Sequence, residues 1–274
     1  MTARELTAYY DTPEHLRHPT GYIMTGYRPQ LSYAGCFRSL FYMHNQWAIV
    51  WTFVLKIPLS ALACGLICAR LSDTRDMLPF FVLLAACLVH APVSAMYHLF
   101  MPVSPSVKLA WNRADYALIF VMTVMISYAL GYYPFYCEPR LQLGQMVGCA
   151  VPAAFNIAWA LTPLYRRAHQ TRLLRVASAA VVIALALLPV FYAAAVTAYS
   201  GRPAAWGLAA CAMYPVGALV WIVHFPEKWF PCVFDNHMNS HAWMHVCIVA
   251  AHLLFYGFVF ESYRVVRANS FACE

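Results

Sequence analysis

The chain has 274 residues, of which 62% are hydrophobic and only 11% charged, and its mean hydropathy is +0.59. A water-soluble domain carries about a quarter charged residues, so this composition excludes an ordinary soluble enzyme or binding module. The net charge of +7 does not point to nucleic acid, because basic residues in a membrane protein chiefly mark the loops that face the cytosol.

Residues 1–45 are polar and aromatic, with Pro13, Pro19 and Pro29, and read as a partly ordered, amphipathic cytosolic segment that approaches the membrane. They contain no short apolar core followed by a cleavage site, so no removable signal peptide is expected. Beyond them, charged residues cluster between apolar runs of about 20 residues, the length that crosses a bilayer core. The runs predict spans near 46–69, 77–101, 111–133, 141–163, 176–199, 206–224 and 240–260, with 261–274 as a short tail. Pro189 predicts a kink in the fifth span. The runs lack period-two alternation, which excludes a closed β-barrel. The expected fold is therefore all-α, a polytopic seven-transmembrane helix bundle over residues 46–260.

Lys56 lies within the first span beside Ile57-Pro58. A lysine at that depth is expensive and reads as snorkelling or as facing a polar interior. The ten cysteines show no metal-type CxxC spacing and read mostly as small membrane-buried residues, not as a disulfide framework.

Alternating spans divide the basic residues unequally. The N-terminal side receives Arg4, Arg17, Arg28, Arg38, Lys108, Arg113, Arg166, Arg167, Arg172, Arg175 and Lys228; the other side receives Arg70, Arg75, Arg140, Arg202, Arg264 and Arg267. The positive-inside rule then predicts a cytosolic N-terminus and an extracellular or lumenal C-terminus.

The stretch Ser240-His241-Ala242-Trp243-Met244-His245 opens the last span and places two imidazoles one helical turn apart, on one face. Span counting puts the end of the second span, with His98, and the start of the third, with Asp115, at the same cytosolic depth. Three neutral imidazoles make a tetrahedral zinc site with one open position, where the metal lowers the pKa of a bound water. Asp115 suits the general base or a supporting hydrogen-bond role. Ser94, four residues before His98 on one helix face, suits a hydrogen-bond donor to that water or to a substrate carbonyl. A lipid amide or ester entering sideways from the bilayer is the natural substrate for such a site. Interhelical hydrogen bonding is the competing use of membrane histidines, and the expected one for His90, His224 and His252. Haem ligation is another.

The run Gly26-Tyr27-Arg28-Pro29, then Cys36 to Asn45, Ser94 to His98, Asp115-Tyr116, Phe225-Pro226-Glu227 with Phe230-Pro231, Phe234-Asp235, and Ser240 to His245, resembles in order the signatures of the progestin and adipoQ receptor (PAQR) family. The wording is most similar to its fourth, Golgi-associated member type. The resemblance implies a seven-helix receptor-like fold with an intracellular N-terminus and Zn2+ held by His98, His241 and His245, with Asp115 and Ser94 near the metal water. It also implies a Golgi or plasma-membrane location, a role in signalling or sphingolipid metabolism, and a ceramide, sphingolipid or steroid-like ligand. Some members respond to adiponectin or progestins, and some are similar to alkaline ceramidases, which hydrolyse an amide. The expectation is thus a zinc-dependent ceramidase-like amidohydrolase or, alternatively, a non-catalytic receptor with structural zinc. Gln46, Ile49, Phe53 and Ala242 depart from the family pattern.

Overall fold

The structure is a computed structural model that describes residues 6–166, 168–269 and 273. Arg4 and Arg167, two of the basic residues that set the expected orientation, lie outside the described residues. The described residues form helices α1 (Tyr33–Ser39), α2 (Trp47–Cys68), α3 (Thr74–Phe100), α4 (Pro105–Gly131), α5 (Pro139–Ala160), α6 (Ala168–Ala186), α7 (Leu188–Ala195), α8 (Arg202–Val223) and α9 (Ser240–Ala268). Among the described residues no strand occurs beyond an isolated bridge between Thr7 and Tyr27. Seven stretches are long and apolar enough to cross a membrane: α2, α3, α4, α5, Leu174–Ala195 across α6 and α7, α8 and α9. Each matches one expected span.

Helix starts follow side-chain chemistry. Asp73 accepts the Arg75 N–H at 2.8 Å before α3, and Ser104 accepts the Val107 N–H at 3.2 Å before α4, as N-cap residues do. α4 begins at Pro105, ahead of the expected Trp111, because its first turn is polar and apolar run length does not register it. α9 continues to Ala268, so the beginning of the 261–274 segment is helical. The expected kink is an interruption: α6 ends at Ala186 and α7 resumes at Leu188, with Pro189 in its first turn. Pro189 has no N–H for the carbonyl of Leu185, and the Gln145 amide donates to that carbonyl instead.

The chain forms two compact units. The first comprises Met1–Lys56, Ala91–Asp115 and Met213–Ala250; the second comprises Ile57–His90, Tyr116–Ala212 and Ala251–Glu274. In the second, Phe120, Cys149, Ala153, Val182 and Ala186 make an apolar core, and the Tyr116 hydroxyl donates to Asn156 at 3.0 Å. Glycines there allow α8 and α9 to approach closely, as small residues do between membrane helices. A Cβ at Gly257 would lie 2.5 Å from the Trp206 ring, and one at Gly207 would lie 2.6 Å from Val190 and 2.8 Å from Phe258.

The cysteine reading needs one correction. Cys137 and Cys273 form a disulfide with Cα atoms 5.3 Å apart; the two positions are 136 residues apart in sequence, so no local pattern announces the pair. The other eight are free, and only Cys232 among them is exposed. Lys56 is 1% exposed, so its ammonium faces the packed interior and does not snorkel.

Gly257→Ala is expected to destabilise the protein by about 1–3 kcal/mol through overpacking against Trp206. The measurement is thermal unfolding in detergent, and an unchanged melting temperature would show that the Trp206 ring yields.

Candidate metal centre

The candidate site lies wholly within the first unit. It is built by bracing helix ends before any ligand is placed. Arg28 is buried and reaches the C-terminus of α3, where the last carbonyls have no partner in the helix. Its Nη2 donates to the carbonyl of His98 at 2.6 Å and its Nη1 to that of Leu99 at 3.0 Å. Nη1 also donates to Ser39 Oγ at 2.8 Å. Burial lowers the pKa of the guanidinium to about 10, which leaves it charged at neutral pH. The backbone N–H of Leu31 adds a bond to the Pro102 carbonyl at 3.1 Å.

The start of α9 is braced with the opposite charge. Glu227 is 1% exposed; its Oε2 accepts the Ser240 N–H at 2.7 Å, and its Oε1 accepts the Ser240 hydroxyl. Asn239 accepts the Ala242 N–H at 3.1 Å and donates to the Asn45 carbonyl at 3.1 Å. A carboxylate and an N-cap amide at a helix N-terminus satisfy its orphan donors and complement its dipole. Asp235, wholly buried, accepts the Met24 and Thr25 N–H groups at 2.8 and 2.9 Å and the Thr25 hydroxyl at 3.0 Å. Gly26 follows with φ +79°, and a Cβ there would fall 1.4 Å from Asn236 Oδ1. Only glycine fits.

These braces bring His98, His241 and His245 together. One ring nitrogen from each lies within 4.8 Å of the other two. The His241 and His245 rings stack at 4.7 Å, and the His98 ring stands 5.2 Å from His241 and 5.7 Å from His245. Tetrahedral zinc–nitrogen bonds of about 2.0–2.1 Å put ligand nitrogens about 3.3 Å apart, so small rotations would close this triad on one ion. The donor set therefore fits zinc. Phe53, fully buried, packs edge-on against His245 with centroids 4.6 Å apart.

Gln46 Oε1 lies 2.9 Å from His98 Nδ1. With Nδ1–H donating to that carbonyl, Nε2 keeps its lone pair. The Gln46 N–H is itself anchored on His44 Nδ1 at 3.1 Å. Burial, and next the Arg28 charge, push the His44 pKa down to about 2, so its ring stays neutral and accepting.

Asp115, half-buried on α4, is outside the three-residue cluster, and its charge acts on both His98 and His241. Ser94 is 1% exposed, one turn before His98 on α3. His90, His224 and His252 do not join the cluster; His224 packs its ring on Tyr22 at 5.3 Å, and His252 stacks on Phe255 at 6.2 Å. Gln46 and Phe53 touch the imidazoles yet were legible in the sequence only as departures from the family wording.

Known sequences resemble this chain over most of its length. The family described as haemolysin-III related matches residues 41–256. A human progestin and adipoQ receptor family member 4 is 30% identical over 273 residues, covering 92% of this chain and 90% of that protein. The chain belongs to the progestin and adipoQ receptor, haemolysin-III-related family. It is also similar to heptahelical transmembrane protein 1 of Arabidopsis thaliana, 28% identical with 93% of this chain and 80% of that one covered. A Drosophila melanogaster adiponectin receptor protein is 25% identical, with 95% of this chain and 61% of that one covered. Family membership and seven membrane-length helices make this an integral multi-pass membrane protein.

Glu227→Ala removes the carboxylate that holds the start of α9 and is expected to cost roughly 1.5–3 kcal/mol, the range for hydrogen bonds to a charged group. Thermal unfolding measures it; a loss below about 0.5 kcal/mol, the low end for a typical hydrogen bond, would show that Asn239 alone caps α9.

Proposed function

We propose that this family member holds zinc at His98, His241 and His245 and hydrolyses ceramide-type lipid amides within the membrane. The observation that carries the reading is the convergence of the three imidazoles, one ring nitrogen from each within 4.8 Å of the others. Zinc bound there supplies Lewis acidity toward a carbonyl and lowers the pKa of a water. Asp115, whose charge reaches His98 and His241, accepts the proton from the attacking water and returns it to the amide nitrogen as the C–N bond breaks. Ser94 donates a hydrogen bond toward the carbonyl oxygen. A second reading, a sensor of a hormone or steroid-like lipid with structural zinc, draws on the likeness to the Drosophila adiponectin receptor protein.

Metal analysis of the purified protein is expected to find one zinc per chain, lost in His241→Ala/His245→Ala; a zinc-free wild type would sink the metal. With a panel of ceramides of differing acyl length, Asp115→Ala is expected to retain zinc and lose roughly 10²–10⁴-fold in turnover, the range for a general acid–base. Wild-type protein that holds zinc but releases no sphingosine from any ceramide would favour the sensor.

The reading includes a cytosolic N-terminus, with the protein in Golgi or plasma membrane. The charge distribution supports it, as does the disulfide: Cys137 follows the third span and Cys273 the seventh, so alternation puts both on the side opposite the N-terminus, and disulfides persist in oxidising compartments. The exposed Cys232 lies between the sixth and seventh spans. In sealed microsomes, whose outer face is cytosolic, a membrane-impermeant maleimide is expected to label wild type but not Cys232→Ser without detergent. Labelling of Cys232 only after detergent would reverse the orientation.

A further inference from the structure

We infer that Gln46 is the positioning residue that makes His98 a metal ligand, by fixing which of its ring nitrogens carries the proton. The inference rests on the zinc reading above and adds a residue outside the donor set.

A neutral imidazole has one N–H and one lone pair, and the partner of one nitrogen decides the state of the other. Gln46 meets His98 at Nδ1, at 2.9 Å, with its carbonyl oxygen. That oxygen can only accept, so the proton sits on Nδ1 and the lone pair on Nε2. The opposite amide orientation would place an N–H against Nδ1, move the ring proton to Nε2, and spoil His98 as a ligand through that nitrogen. Gln46 is not loose at the site. Its backbone N–H is held by His44 Nδ1 at 3.1 Å, and its carbonyl starts α2 by accepting the Val50 N–H at 3.1 Å. His98 is held at its other end, since Arg28 grips its backbone carbonyl at 2.6 Å. The imidazole is thus fixed in position by Arg28 and in tautomer by Gln46. Phe53 stacks on the same ring at 6.4 Å.

Hydrogen-bond partners behind metal ligands carry about 10–100-fold in metal affinity, and an acceptor-only side chain should serve as well as the amide. The test is the zinc dissociation constant of the full-length purified protein, by competition with a chelator, in wild type, Gln46→Met and Gln46→Glu. Gln46→Met, similar in length but without the carbonyl, is expected to bind zinc about 10–100-fold more weakly with the chelator-stripped protein melting as wild type does. Gln46→Glu is expected to bind at least as tightly as wild type. Zinc affinity within twofold of wild type in Gln46→Met would overturn the inference while leaving the zinc site standing. So would Gln46→Glu binding tenfold more weakly than wild type, which decides the matter even if Gln46→Met does not fold. A wild type that binds no zinc would overturn the metal reading itself, and this inference with it.

Discussion

A buried guanidinium on the end of a helix is the constraint on which the rest of the site depends. Removing Arg28 from water costs several kcal/mol unless the charge finds partners of good geometry. Three bonds, to the carbonyls of His98 and Leu99 and to Ser39, offset that cost at the negative end of the α3 dipole. The arrangement works in both directions: the charge is tolerated because the carbonyls are orphans, and the carbonyls are tolerated because the charge is there. His98 takes its position from this contact through its own backbone. The start of α9 repeats the logic with signs reversed, a buried Glu227 on the N–H and hydroxyl of Ser240, one residue before His241. Each histidine-bearing helix end is therefore held by a full charge of the complementary sign.

Much of this was legible in the sequence because membrane physics leaves few choices. Apolar run length gives the spans, and alternation then places His98, Asp115, His241 and His245 at one depth without any contact being known. The two residues one turn apart on α9 could be assigned a common face from spacing alone. The partners of the imidazoles could not. Gln46 and His98 are separated by 52 positions, and a glutamine just ahead of an apolar run has many ordinary uses. The Cys137–Cys273 pair was hidden for the same reason, since it joins the α4–α5 connection to the far end of the chain. The early start of α4 was missed on different grounds: Ser106 and Lys108 lie in a polar first turn that precedes its apolar run.

The rotational setting of α2 shows how a few polar groups decide what apolar pattern cannot. Lipid is as apolar as leucine, so burial alone does not select which face of a membrane helix turns inward. On α2 the exposed side carries Leu55, Leu59, Leu62 and Leu66, while Ile49 and Phe53 are fully buried; all are hydrophobic, and exchanging the two faces would change little by transfer free energy. The residues that break the tie are polar. Gln46 and Lys56 lie on the same face as Ile49 and Phe53, at spacings of three and four, and Lys56 is only 1% exposed. A lysine or an amide turned toward hydrocarbon is costly, so these two residues fix the rotation of α2. That rotation carries Phe53 against His245 and the Gln46 carbonyl against His98. Polar residues that would be liabilities facing lipid are thus the ones that set the helix's face, and the same face packs against two of the three imidazoles.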